Sequence, residues 1–275
     1  MILDGKAYAA EIRAELKEKI DKLERKPGLA VIIVGEDPAS RVYVRNKIKA
    51  CEELGIRSYA YELPYDSTQK DVEDLLDSLG DNKDVDGVLL QLPLPKHLDS
   101  ESAAKHIPVE KDVDGFSAQN LGLLMQHKEN VVACTPAGVM KILERAGIEL
   151  TGKHAVVLGR SETVGKPMAM LLLNANATVT ICHSKTQNLK EICRSADILV
   201  SAVGKVKFVT EDMVKDGAVV IDVGINRDEN GKLCGDVDFE NVKEKTSYIT
   251  PVPGGVGPMT VTMLMYNTYL SFCKE

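Results

Sequence analysis

Ala155-Val156-Val157-Leu158-Gly159-Arg160-Ser161-Glu162-Thr163-Val164-Gly165-Lys166-Pro167 is the stretch that decides the fold of this 275-residue chain. Four apolar residues run into a glycine, a short polar turn follows, and a second glycine opens an apolar stretch ending near Asn174. That order predicts a strand over 155–159 and a helix over 165–174, joined by a turn of the size that cradles a phosphate. The pattern is not G-x-G-x-x-G: Ser161 replaces the second glycine, and the third comes one residue late. Taken alone it fits an ordinary strand-to-helix turn as well. The flanks favour the nucleotide reading. Residues 177–182, 198–203 and 218–223 read as strands, and 189–195 and 210–215 as helices. This alternation implies a doubly wound parallel sheet of the Rossmann type. Free N–H groups and the macrodipole at the opening of helix 165–174 then favour a phosphate.

Upstream the same grammar recurs. Ala7, Ala10, Ile12, Leu16, Ile20 and Leu23 mark an amphipathic helix over 6–26, stopped by Pro27-Gly28. Residues 29–34 form a buried strand, and Ser40 is expected to cap a helix that runs to Leu54 and closes at Gly55. A strand over 56–62, a helix over 68–79 and a buried strand over 86–92 complete a small α/β unit. Residues 107–118 are turn-rich, and a helix over 135–147 carries Pro136 in its first turn. The fold class is therefore α/β, with two domains expected around a cleft: 1–118 plus 259–275, and 119–258. The last helix, about 259–272, is apolar on more than one side. It needs cover from two directions, which a return to the first domain would supply.

Composition narrows the function. Hydrophobic residues make up 44% and charged ones 27%, as in a globular protein with a substantial core. A net charge of −7 argues against nucleic acid or an anionic membrane as the main partner. Cys51, Cys134, Cys182, Cys193, Cys234 and Cys273 show no C-x-x-C pair, which suits buried, reduced thiols. The five histidines form no H-x-H or H-E-x-x-H motif, so no metal site is expected. The start Met-Ile-Leu-Asp-Gly-Lys lacks the order of a signal peptide, and no apolar run approaches the ~18 residues of a membrane span. A cytoplasmic location is the expectation.

The cofactor type is read after residue 182. An NAD site ends its second strand with an acid that bonds the ribose hydroxyls. Here the strand runs into His183-Ser184-Lys185, with no acid, and Arg160 sits in the phosphate turn. An extra 2′-phosphate would be repelled by an acid and held by this set, so NADP is expected over a merely solvated basic turn.

On the helix after the first strand, Tyr43, Lys47, Ala50 and Leu54 follow one row expected to face inward. A lysine that interrupts an apolar stripe ordinarily snorkels to the surface. The alternative is a cleft lysine of depressed pKa, suited to proton transfer. Gln91 ends a strand where an apolar residue is expected. Asp112 and Asp114 lie in Lys111-Asp-Val-Asp-Gly115-Phe116. A turn with a self-bonded Asp accounts for one of the two; a D-x-D metal pair would need a third ligand, and none is near.

Ile249-Thr-Pro251-Val-Pro253-Gly254-Gly255-Val256-Gly257-Pro258-Met-Thr260 is the other informative stretch. Its prolines remove donors and its glycines permit positive φ, so it is expected to be a loop rather than helix or strand, with Pro258 opening the last helix. It reads as a stiff connector, a ligand wall, or both. The reading of Gly255 is that a ligand lies against its bare backbone.

These motifs together resemble one family. Val34-Gly-Glu-Asp-Pro-Ala-Ser-Arg-Val-Tyr43-Val-Arg-Asn-Lys47, Gln91-Leu-Pro-Leu-Pro95, Lys111-Asp-Val-Asp-Gly115, Gly159-Arg-Ser161 with Val164-Gly-Lys-Pro167, Val220-Ile-Asp-Val-Gly-Ile-Asn226 and Pro251 to Thr260 occur in order over nearly the whole chain. The chain is similar to the bifunctional methylenetetrahydrofolate dehydrogenase/methenyltetrahydrofolate cyclohydrolases. The resemblance implies a substrate domain and a Rossmann domain, a homodimer, tetrahydrofolate one-carbon substrates and NADP. It implies that Tyr43 stacks on the folate, Lys47 is the catalytic lysine, Gln91 pairs with it and Asp114 bonds the pterin. By the same resemblance Leu90, Leu92 and the run Pro253, Gly254, Gly255, Val256, Gly257 and Pro258 line the substrate. Gly159, Arg160, Ser161, Val164, Gly165, His183, Ser184 and Ile225 hold the NADP. It also implies a place in one-carbon metabolism, feeding purine, methionine and histidine biosynthesis. Four positions depart from the family's usual residues: Glu162-Thr163 where Asn-Ile is common, and Ala133 and Val206 where Pro is common. The alternatives are a monofunctional dehydrogenase, expected to lack the Tyr/Lys/Gln set, a shikimate-type dehydrogenase, and a catalytically silent nucleotide-binding regulator.

Overall fold

A computed structural model describes residues 1–129 and 131–274. The chain forms two compact units, Ile12–Cys134 with Val261–Glu275, and Met1–Glu11 with Thr135–Thr260. These limits differ from the expected ones at residues 1–11, 119–134 and 259–260. The first two differences have local causes: the first residues pair with a strand of the second unit, and residues 131–134 pack on the turn around Gly115, as described below.

The chain opens with α1 (Gly5–Asp21). It stops five residues short of the expected end, because Lys26 Nζ donates to the carbonyls of Ile20, Asp21 and Leu23 and so closes the helix. Strand β1 (Gly28–Val34) is buried at all seven positions, which explains its unbroken apolar run. Helix α2 (Pro38–Leu54) is capped by Asp37, not Ser40: the Asp37 carboxylate accepts from Ser40 N at 2.8 Å, and Pro38 occupies the first turn where no donor is needed. Gly55 ends it in the left-handed region, φ 75°, as expected. Then come β2 (Arg57–Leu63), α3 (Gln69–Asp81), which Thr68 and Asp71 open as a reciprocal capping box, and β3 (Gly87–Leu90). Two short helices, α4 (Ser100–Ala104) and α5 (Ala118–Met125), carry no long apolar period and were not foreseen.

The sheet of this unit has the order β2-β1-β3, all parallel. One face packs Ala30, Ile32, Val34, Val88 and Leu90 against Val72, Leu76 and Leu79 of α3. Each fully buried aliphatic side chain there contributes about 2 kcal/mol relative to exposure. Arg25 forms two hydrogen bonds to the buried Asp86, at 2.7 and 3.0 Å, and its guanidinium lies 4.5 Å from the ring centroid of Phe272.

The second unit contains α6 (Cys134–Arg145), β4 (His154–Leu158), α7 (Gly165–Asn174), β5 (Thr178–Cys182), α8 (Leu189–Arg194), β6 (Ile198–Ser201) and β7 (Val219–Asp222). A hairpin of β8 (Asn226–Arg227) and β9 (Leu233–Cys234), helix α9 (Phe239–Val242) and β10 (Tyr248–Ile249) follow. The main sheet has the order β10-β7-β6-β4-β5, parallel throughout. Strand reversal about β4 makes it doubly wound, as the alternation predicted. Ile2 bridges Ile249 beyond β10, with Leu3 N donating to the Ile249 carbonyl at 2.8 Å. The helix expected over 210–215 is a single tight turn, Glu211–Met213.

The last helix, α10, spans Val256–Phe272. The Pro/Gly stretch is therefore not all loop: Ile249 ends a strand, and Val256, Gly257 and Pro258 are already helical, since a first turn tolerates a proline that has no donor to lose. The compact units divide within this helix, and Val261–Glu275 belongs with Ile12–Cys134. No helix among the described residues is long and apolar enough to cross a membrane.

Candidate active site

The first group of candidate residues is built on α2, the end of β3 and the turn before α5. Ser40, Val44, Cys51 and Leu54 of α2 are buried, and Lys47 stands in the same row, half-buried. Lys47 Nζ donates to Gln91 Oε1 at 2.9 Å. Gln91 is fixed in turn: its backbone N–H continues the sheet by donating to Ile32 O at 2.8 Å, and its Nε2 donates to the Leu92 carbonyl at 2.6 Å. That leaves the side-chain oxygen for the lysine. Among the described residues no carboxylate lies within ion-pair distance of Lys47. Tyr43 is not on the inward face as expected: the row that meets the core passes through Val44, and the Tyr43 ring is 46% exposed. Leu90 is buried and Leu92 exposed, on either side of Gln91.

The two aspartates divide as the turn reading required. Asp112 is the self-bonded one, accepting from Gly115 N, Ser117 N and Asn120 Nδ2 at 3.0, 2.8 and 2.9 Å. Asp114 is half-buried, and burial pushes its carboxyl up to about 6, with Lys47 pulling the other way and Asp112 adding to the rise. Asp114 and Lys47 thus feel one another electrostatically. Gly115 has φ +72°, and a Cβ there would come within 2.7 Å of Ala133 N, so the turn is pressed onto 132–133. Cys134 Sγ lies 4.0 Å from Asp114 Oδ1, and burial raises its thiol well above the usual range, making it a poor nucleophile. Asn267 of α10, 2% exposed, donates through Nδ2 to the carbonyls of Val113 and Val132, both at 2.9 Å.

The second group lies at the carboxyl ends of β4, β5 and β6, around a cavity of about 240 Å³. Gly159 has φ +117°, and a Cβ there would stand 2.4 Å from Ala202 O; one on Gly165 would stand 2.3 Å from Gly159 O. Both glycines are required by close backbone approach. Ser161 answers for the missing second glycine: its Oγ accepts from Val164 N and Gly165 N at 3.2 and 3.3 Å, and its carbonyl accepts from Lys166 N. These donors at the opening of α7 are therefore satisfied within the turn, contrary to the expectation that they stay free. Among the described residues the N–H groups of Arg160 and Ser161 have no protein acceptor, which places the free donors one step earlier. Glu162 is paired with Lys166 at 2.9 Å, which offsets its charge beside the turn. The His183 ring accepts from Lys185 N, and His183 N donates to Thr186 Oγ1, shaping the turn that presents Ser184. A glycine cradle, a guanidinium at Arg160 with no carboxylate partner among the described residues, and a strand end without an acid fit NADP.

The remaining candidates are in the same unit. Gly254 has φ +103° with open space around a Cβ, whereas a Cβ on Gly255 would meet Pro251 O at 2.5 Å and one on Gly5 would meet Gly255 O at 1.8 Å. Gly255 is thus already fixed by its own turn, apart from any ligand that lies against it. Val256 is buried, Pro253 is exposed, and Ile225, 53% exposed, has its Cδ1 3.9 Å from where a Gly257 Cβ would stand.

Several residues that build the sites escaped the sequence. Asp236, fully buried, accepts from Val203 N, Lys205 N, Ser201 Oγ and Asn226 Nδ2 at 2.7 to 3.1 Å. Asp222 accepts from Gly224 N, Asp236 N and Val237 N, and burial lifts its carboxyl to about 6. The only signal available was an acid at the end of an apolar strand. Of the six cysteines, four are buried, Cys234 is half-buried and Cys273 is exposed, so the expectation of uniform burial fails at the last two.

Known proteins agree with this geometry. The catalytic-domain model of the tetrahydrofolate dehydrogenase/cyclohydrolases matches residues 3–114, and their NAD(P)-binding-domain model matches 133–275. The bifunctional protein FolD of Lachnoclostridium phytofermentans is 57% identical over 270 residues, 97% of this chain and 96% of that protein. The crystal structure of the bifunctional FolD methylenetetrahydrofolate dehydrogenase/cyclohydrolase from Campylobacter jejuni superposes with a TM-score of 0.98 at 50% identity, covering 100% of this chain and 99% of that one. The Trypanosoma brucei enzyme, solved with NADP and an inhibitor, has a TM-score of 0.95 at 42% identity over 100% and 97% of the two chains. A shikimate dehydrogenase from Thermus thermophilus, at 19% identity and a TM-score of 0.54, shares the fold alone. With both family models matched in order across the chain, and a lysine, a glutamine and an aspartate gathered in the first of them, this protein belongs to the tetrahydrofolate dehydrogenase/cyclohydrolase family.

Proposed function

We infer that this chain is a bifunctional folate one-carbon enzyme. It oxidises 5,10-methylene-tetrahydrofolate to 5,10-methenyl-tetrahydrofolate with NADP, and hydrolyses that product to 10-formyl-tetrahydrofolate. The observation that carries the bifunctional reading over a dehydrogenase alone is the 2.9 Å hydrogen bond from Lys47 to Gln91. Hydride transfer moves no proton and needs only that two rings be held in register. Bound NADP supplies the hydride acceptor. Hydrolysis is different: water adds to the cationic one-carbon bridge and gives up both its protons as it becomes the formyl oxygen, one proton goes to the ring nitrogen whose bond to that carbon breaks, and one is released. A group that moves protons is then required.

Lys47 is assigned that task, with Gln91 holding its amine in place. The exposed Tyr43 ring offers a stacking face for the folate, Leu90 and Leu92 flank it, and Asp114 bonds the pterin. Pro253, Gly254, Gly255, Val256, Gly257 and Pro258 are assigned to the substrate wall. Gly159, Arg160, Ser161, Val164, Gly165, His183, Ser184 and Ile225 are assigned to NADP. Substrate recognition is placed mainly in 12–134 with 261–275, and cofactor binding in 135–260. Lys47→Met, assayed for each step separately, is expected to lower the cyclohydrolase rate by about 10²-fold or more while the dehydrogenase falls far less. Unchanged hydrolysis would refute the role.

Three further readings rest on the family resemblance. The chain works as a homodimer, supported by the open edge of β5, where Ile181 is 37% exposed. It acts in the cytoplasm, without nucleic acid or membrane partners, in keeping with its net charge of −7. Its product serves as formyl donor toward purine, methionine and histidine biosynthesis.

A further inference from the structure

The cavity at the ends of β4, β5 and β6 holds a residue outside the roles assigned above. Lys205 lines it together with Arg160, His183, Ser184 and Phe208. None of the lining residues is acidic. Among the described residues neither Arg160 nor Lys205 has a carboxylate within ion-pair distance, although Lys166, Lys207 and Lys215 of the same unit are all paired. Two unpaired cations facing one small cavity repel each other unless an anion lies between them.

The backbone under Lys205 is fixed in advance. The buried Asp236 carboxylate accepts from Val203 N, Gly204 N and Lys205 N at 2.7, 3.2 and 2.9 Å, so three consecutive donors converge on one side chain. The Lys205 ammonium lies 5.5 Å from the Phe208 ring centroid, a contact that holds it at the cavity without neutralising it. Ordering a loop on ligand binding is costly, and here that ordering is complete before any ligand arrives.

Position selects the anion. The glycine turn and the N–H groups of Arg160 and Ser161 lie where a pyrophosphate is held at a helix opening. Lys205 instead shares its cavity with His183 and Ser184, at the end of β5, where a nucleotide fold meets the adenosine ribose. We propose that Lys205 is a specificity-determining residue, a second cation beside Arg160 that recognises the 2′-phosphate of NADP and so favours NADP over NAD. The proposal rests on the NADP reading of this unit.

The test uses ligands that carry no nicotinamide, so that binding is read without turnover. Calorimetric titration of the purified full chain with adenosine 2′,5′-bisphosphate and with AMP separates the 2′-phosphate from the rest of the adenosine. Lys205→Gln is expected to weaken the bisphosphate about fivefold to tenfold and to leave AMP within twofold, while Lys205→Arg stays near the parent. An equal loss for both ligands would place Lys205 on the 5′-phosphate side, and no loss for either would remove it from the site; both overturn the proposal. A parent chain that binds neither ligand would overturn the nucleotide reading itself.

Discussion

Asp114 shows how much one residue depends on its surroundings. An aspartate ordinarily ionises near 3.8, but burial lifts this one to about 6, with Lys47 restraining the rise. The folded state therefore holds the proton more tightly than the unfolded one. The stability this contributes is complete below about 4 and is lost as pH rises through about 6. Carboxyl-carbon NMR is expected to show an Asp114 midpoint near 6 in the parent and a higher one in Lys47→Met, because the restraining cation is gone. A midpoint unmoved by that substitution would mean that the two groups do not interact. The sequence could not say which of Asp112 and Asp114 would be the self-bonded partner. Each has the short side chain that an Asx turn needs, and only the position of Asn120 and the pressed turn at Gly115 separates them. Lys47 was legible as an exception in an apolar row, whereas Tyr43, one turn earlier, was misplaced because the core-facing row runs through Val44.

At the level of elements, strands buried on both faces were the easiest to read. β1, β4 and β7 are short apolar runs with β-branched residues, bounded by glycine or charge. Short helices such as α4 and α5 lack the turns needed for a visible period. The Pro/Gly stretch was legible in chemistry but not in extent, since a proline in a first helical turn looks the same in sequence as a proline in a loop. Its glycines carry a stability prediction. Gly255→Ala is expected to lower stability by about 2 kcal/mol or more without any ligand, since the added Cβ would press on Pro251 O at 2.5 Å. Gly254→Ala meets open space and carries only the strain of φ +103°, about 1–2 kcal/mol. Denaturant unfolding of the two variants checks the order, and a Gly255→Ala protein as stable as the parent would contradict the close approach of Gly255 to Pro251.

Over the whole molecule, the strongest constraints join residues far apart in the chain. Asn267 donates to the carbonyls of Val113 and Val132, 154 and 135 residues away, and thereby ties α10 to the turn that carries Asp114. Asn267→Leu keeps the volume roughly and takes the amide donor from both carbonyls, leaving Val113 O only the weak Cys134 Sγ donor at 3.4 Å and Val132 O half-buried without its partner, a loss of about 1–3 kcal/mol. Unfolding midpoints are expected to fall accordingly, and proteolysis to nick the 113–134 region sooner; a fall below about 0.5 kcal/mol would show that water replaces the amide without penalty. The sequence alone determined the alternation of strands and helices, the phosphate turn and the absence of an acid after β5, because apolar period, glycine and charge act within a few residues. Tertiary structure alone decided which aspartate feels Lys47, why Ser161 can replace a glycine, and how Asp236 fixes the loop of Lys205. The reason is physical: a buried polar group must find its partners wherever the fold brings them, and no local pattern records that distance.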